Sequence, residues 1–134
     1  MKLYLLDSCA VITASDFEEG YQVVQKIFDD KNSKILMHKY NLLEAYYITL
    51  KRQGKKIADE IVSLLKLSDV KIIVEFDDNI FYEAARFKAT YKVSLADAIA
   101  LATAVKLDAS LVTSDHHEFD IIEKTENIKF IWTR

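Results

Sequence analysis

At 134 residues with 51% hydrophobic side chains, the chain is expected to be one domain (1–134) with a sizeable core. Two glycines, no proline and no Ser/Gly-rich run leave nothing that reads as a linker or low-complexity segment, and the sequence shows no internal repeat. The net charge of −3 is too mild for global electrostatics to predict a nucleic-acid or membrane partner, so any RNA contact has to be local.

In chain order, a first strand spans Lys2 to Leu6 and runs into Asp7. This apolar opening is too short for a signal-peptide core or a membrane span, and the chain is expected in the cytoplasm. Cys9, the only cysteine, excludes an intrachain disulfide and fits a reducing compartment. Ser15 with Glu18 forms a capping-box pattern that predicts a helix to about Asp30, with Tyr21, Val24, Ile27 and Phe28 on its inner stripe. A strand is predicted over Lys34 to Met37, then a helix from about Tyr40 to Gln53 ending at Gly54. Lys56 to Leu67 repeats the helical period with no strand between, which predicts a helical hairpin.

A strand over Val70 to Val74 precedes two more helices, Asp78 to Lys92 and Ser94 to Leu107. Strands over Ser110 to Thr113 and Ile128 to Trp132 follow, with a short helix between them. The order β-α-β-α-α-β-α-α-β-(short α)-β predicts an α/β fold: a mostly parallel central sheet of four to five strands flanked by helices.

Four acids stand at structured places in this pattern: Asp7, Glu44, Asp97 and Asp115. Each has an ordinary reading. Asp7 can start a turn, Glu44 can be a solvated helix residue, Asp97 can complete a capping box with Ser94, and Asp115 can be an N-cap. Their neighbours argue for more, because Glu44 and Asp97 are embedded among apolar and small residues, where an unpaired charge is expensive. A carboxylate at the carboxyl end of a buried strand, as at Asp7, also sits where open α/β sheets place ligands. If the four converge, two like charges about 4 Å apart repel by roughly 4 kcal/mol at an effective dielectric near 20. Either their pKa values rise or a divalent cation binds, and an all-oxygen donor set favours Mg²⁺ or Mn²⁺.

At these residues the chain resembles the PIN-domain ribonucleases, a family that includes the toxin half of many type II toxin-antitoxin pairs. The most specific stretch is Ser94 to Ala98 through Leu101 to Ala104, then Leu111 to Asp115 and Phe119. Asp7-Ser8 and Asn41 to Glu44 match in the expected order. The resemblance implies an endoribonuclease that cleaves phosphodiester bonds by metal-assisted hydrolysis. Asp7, Glu44, Asp97 and Asp115 would be both the catalytic and the metal-holding residues, with Thr113 orienting the Asp115 loop or a water. It further implies an RNA substrate, a small antitoxin partner and a homodimer. The segment His116-His117-Glu118 is one residue longer than the family's compact Asp-x-x-Phe form, which leaves open whether Glu118 shares or replaces the role of Asp115.

Adjacent His116 and His117 lack Cys/His partners at zinc spacings and read as loop residues near the site. The clusters Lys51, Arg52, Lys55, Lys56 and Arg86, Lys88, Lys92 read as solvated faces or phosphate contacts. Adjacent Tyr46 and Tyr47, and adjacent Phe81 and Tyr82, cannot share one core, so some aromatic surface should remain for a partner. Two rival functions stand beside the nuclease. One is a Mg²⁺-dependent phosphatase or phosphoacceptor with Asp7 as nucleophile, weakened by Cys9 where an Asp-x-Asp motif needs its second acid. The other is a non-catalytic binding module, which would gain nothing from four repelling carboxylates.

Overall fold

The computed structural model describes all residues from Met1 to Arg134. Five strands form one sheet: β1 (Lys2–Leu6), β2 (Ser33–His38), β3 (Lys71–Ile73), β4 (Ser110–Thr113) and β5 (Phe130–Trp132). Their order is β3-β2-β1-β4-β5, and every pairing is parallel. Parallel neighbours require crossovers, and seven helices supply and flank them: α1 (Ser8–Ser15), α2 (Tyr21–Asp29), α3 (Lys39–Gln53), α4 (Lys55–Leu67), α5 (Asp78–Thr90), α6 (Leu95–Leu107) and α7 (His116–Thr125). No helix is long and apolar enough to cross a membrane.

Alternation along the strands divides the core between the two faces of the sheet. Leu5, Leu36 and Leu111 join a cluster with Ile80, Phe87, Leu101 and Phe119 from α5, α6 and α7. Leu6, Ile35, Met37 and Val112 point the other way, into a cluster with Val11, Val24, Leu42 and Ile61 from α1 to α4. Central strands buried on both faces read as continuous apolar runs, as Leu3 to Leu6 and Ile35 to Met37 do.

The predicted helix from Ser15 to Asp30 is corrected. Asp7 Oδ1 accepts from the Ala10 N–H at 2.8 Å and opens α1 directly after β1. Ser15 closes that helix, its hydroxyl donating back to the Ile12 carbonyl at 3.3 Å, and Glu18 accepts from Thr13 Oγ1. The start of α2 falls to Gly20 in the left-handed region, φ +91°. A capping-box pattern alone does not say which of two adjoining helices it serves.

Candidate functional site

Strand order runs outward from β1 to β2 and β3 on one side, and from β4 to β5 on the other. The order therefore reverses between β1 and β4, and their carboxyl ends flank the crevice where such sheets take ligands. Asp7 follows β1 and Asp115 follows β4, so both lie at this reversal. The helix after β2 contributes Glu44 from its second turn, and α6 contributes Asp97 from its first. Helix starts coincide with three of the acids. Asp7 caps α1, Asp115 Oδ1 caps α7 by accepting from the Glu118 N–H at 3.1 Å, and Ser94 Oγ accepts from the Asp97 N–H at 3.1 Å. Capping uses one carboxylate oxygen and leaves the other free.

The tightest group is Asp97, Asp115 and Glu118, which offer carboxylate oxygens within 4.8 Å of one another. Glu118 is the residue whose role the sequence left open, and the first turn of α7 brings it beside Asp115. Asp7 and Glu44 stand outside this triad but within its field. Burial pushes the Asp7 carboxyl up to about 7, Asp115 and Glu44 add to the rise, and Thr113 and the Ala10 N–H oppose it. Asp97 is pushed up to about 8, first by burial and then by Asp7, Asp115, Glu44 and Glu118. Cys9, half-buried beside them, has its thiol pushed up by burial and by the same acids, so it is no nucleophile.

Supporting contacts hold the acids in place. Ser8 Oγ donates to Glu44 Oε1, joining α1 to α3. Asn41, buried on α3 one turn before Glu44, donates from Nδ2 to the Ala96 carbonyl at 2.9 Å and joins α3 to α6. Thr113 Oγ1 accepts from the Asp115 N–H at 3.1 Å, the loop-orienting role expected of it. His38 caps α3, with Nδ1 accepting from the Tyr40 N–H at 3.0 Å and Nε2 donating to the Glu75 carbonyl at 2.9 Å. Neither Asn41 as a tether nor His38 as a cap was foreseen. Asn41 could be suspected as a polar residue between apolar helix positions.

No cationic side chain neutralises the acids. None of the five carboxylates forms an ion pair with a lysine, arginine or histidine. Asp7 Oδ2 and Glu118 Oε2 are buried without a hydrogen-bond partner, a costly state for an acceptor unless a cation faces it. An all-oxygen set of this kind fits a hard divalent ion better than zinc. His116 does not belong to the set, because its ring stacks on Trp132 and both nitrogens are engaged, with Asp120 at 2.7 Å and the Arg134 main-chain oxygen at 2.7 Å. Arg86 is likewise committed elsewhere, to Glu83 and to a two-point contact with Glu126.

Comparison with solved structures gives matches over most of the chain. VapBC2 from Rickettsia felis, bound to a promoter DNA fragment, matches with a TM-score of 0.74 at 18% identity, over 96% of this chain and 97% of that one. VapBC-1 from nontypeable Haemophilus influenzae matches with a TM-score of 0.72 at 17% identity, over 98% of each chain. VapC20 from Mycobacterium tuberculosis, described as a sarcin-ricin loop cleaving toxin, matches with a TM-score of 0.67 at 12% identity, over 81% of this chain and 86% of that one. These likenesses establish the fold. A comparison with curated protein sequences gives no match. Residues 4–124 match the PIN domain family, and the chain belongs to it.

Proposed function

We propose that this PIN domain is a Mg²⁺- or Mn²⁺-dependent endoribonuclease and the toxin half of a toxin-antitoxin pair. The observation that carries the reading is a set of five neighbouring carboxylates with no cationic partner, two of which bury an unpaired oxygen. Asp97, Asp115 and Glu118 would hold the ion together with Asp7. When bound, it would supply an acidified water and charge compensation at the leaving oxygen of a phosphodiester. Glu44, held by the Ser8 hydroxyl, would accept a proton from that water or fix its position. Thr113 and the α7 cap keep the Asp115 carboxylate aimed at the crevice.

An antitoxin partner is supported by the toxin-antitoxin complexes among the structural neighbours. An apolar groove of about 300 Å³ between α1, α2 and α4, lined by Val11, Ala14, Phe17, Tyr21, Val24 and Leu64, offers a surface for a partner helix. Tyr47 on α3 and Phe81 and Tyr82 on α5 are exposed aromatics that suit self-association into a homodimer. For the RNA backbone, Lys51 and Arg52 at the end of α3 and Lys55 and Lys56 at the start of α4 are exposed.

The deciding experiment is cleavage of a structured RNA by purified protein with Mg²⁺, with Mn²⁺ and with chelator, beside Asp97→Asn. Metal-dependent cleavage lost in the variant is expected. Cleavage that persists in chelator rejects the mechanism, and hydrolysis of a phosphate monoester in place of RNA favours the phosphatase rival.

A further inference from the structure

Asp115 lies in the short turn between β4 and α7, and residues 132–134 hold that turn on both flanks. On the strand side, the Thr133 N–H donates to the Thr113 carbonyl at 3.0 Å. On the helix side, Trp132 stacks on the His116 ring at 3.8 Å between centroids, and His116 Nε2 donates to the Arg134 main-chain oxygen at 2.7 Å. The same segment also reaches the helix that Asp7 caps. Arg134 Nη1 donates to the Glu19 carbonyl at 2.8 Å and to Thr13 Oγ1 at 3.3 Å, and Nη2 lies 3.5 Å from Glu18 Oε1. Thr13 is fully buried near the end of α1. Gly20 completes the contact, because a Cβ there would stand 1.9 Å from the Thr133 carbonyl oxygen. Only glycine allows the two backbones to come this close.

We propose that Arg134, with Thr133, is a positioning residue for the acidic site: its guanidinium ties the turn after α1 to the segment that grips the Asp115 turn. It thereby braces the Asp115 turn, while Asp7 is already tied to β4 by its own N–H, which donates to the Val112 carbonyl at 3.3 Å. The inference rests on the proposed divalent-cation site. Asp115 stands among the other acids of the site with no cationic side chain paired to any of them, so their mutual repulsion pushes its turn outward. Arg134 resists that drift from outside the site, because its planar fork binds three acceptors at the end of α1 and on the turn after it. Without it, the ion has to reassemble the site as it binds, and its affinity falls.

Mn²⁺ titration followed by the electron paramagnetic resonance of the free ion tests this on wild type, Arg134→Ala, Arg134→Lys, Gly20→Ala and Arg86→Ala. Arg134→Ala should bind Mn²⁺ about tenfold more weakly, the lower end of the effect of groups that orient metal ligands. Arg134→Lys should recover part of the loss through one retained contact, and Gly20→Ala should weaken binding by pushing Thr133 away. Arg86→Ala serves as the control. It breaks the pair with Glu126 beside the cavity at the amino ends of β1 and β4, and should lower the melting temperature with Mn²⁺ affinity unchanged. Equal affinity in wild type and Arg134→Ala overturns the inference, and so does an equal loss in Arg86→Ala, which would mean general destabilisation. Absence of Mn²⁺ binding by wild type sinks the cation site itself, and the positioning role with it.

Discussion

Asn41 donates its amide hydrogen to the carbonyl of Ala96 at 2.9 Å, and this one bond ties the helix that carries Glu44 to the first turn of the helix that carries Asp97. Both groups are buried, so the bond has no water to replace it. Asn41→Ala should cost on the order of 1–2 kcal/mol in urea unfolding, because the loss is partly offset by removing the unpaired Asn41 Oδ1. Asn41→Asp should cost more, since it sets a carboxylate against a carbonyl and beside the other acids. Equal stability of Asn41→Asp and wild type would show that the bond is not holding the helices.

Millimolar Mn²⁺ or Mg²⁺ should raise the melting temperature, because an ion that binds only the folded site stabilises it by about 2.7 kcal/mol at one hundred times its dissociation constant. A melting curve unmoved by either ion counts against the site.

Asp7→Asn and Asp97→Asn should each abolish RNA cleavage while leaving the metal-free protein as stable as wild type or more so. Each removes one of several repelling charges, and each removes a ligand charge as well. The metal-induced rise in melting temperature should shrink in both, and in Glu118→Gln. Full cleavage by Asp97→Asn would return that residue to its role in the helix start alone.

Stability of the metal-free protein should fall from about pH 4 to about pH 8 on account of these two acids. Asp7 and Asp97 have folded-state values of about 7 and about 8, above the 3.8 of an ordinary aspartate. Between these limits the folded protein binds more protons than the unfolded chain. The stabilising contribution is therefore complete below the unfolded value and lost as pH rises through the folded ones. Calorimetry in chelator should show the decline, and Asp97→Asn should flatten it. A melting temperature that climbs over this range would contradict the burial of these charges.

The aromatic surface of α5 makes a separate prediction. Phe81 packs edge to face with both Phe76 and Tyr82, yet Phe81 and Tyr82 are 52% and 69% exposed. Tyr82→Glu or Tyr47→Glu should weaken self-association in sedimentation without changing Mn²⁺ binding, whereas Leu64→Glu in the α1–α2–α4 groove should weaken antitoxin binding. A strict monomer at high concentration, with no partner recovered from the native cell, would leave a free-standing nuclease.

The sequence by itself determined most of the frame. Strands are marked by short apolar, β-branched runs, and Ser110 to Thr113 was legible to the residue because Ala109 and Ser114 bound it with no periodic pattern of their own. The hairpin of α3 and α4 was legible because Gly54, with φ +92°, both ends one helix and opens the next. Asp7, Glu44, Asp97 and Asp115 stood out because acids are rare among such apolar neighbours. Tertiary structure decided what local signals leave open. Whether Ser15 and Glu18 open a helix or close one depends on Asp7 having already started α1 at the end of β1. Whether Glu118 faces solvent or Asp97 depends on the rotation of α7, which is set by burial of Phe119 and Ile122 against the sheet. The grip of Arg134 on Thr13 spans 121 residues, and no local pattern encodes it. Capping and periodicity act within a few residues, but the approach of two charges or two backbones depends on how the whole sheet is wound.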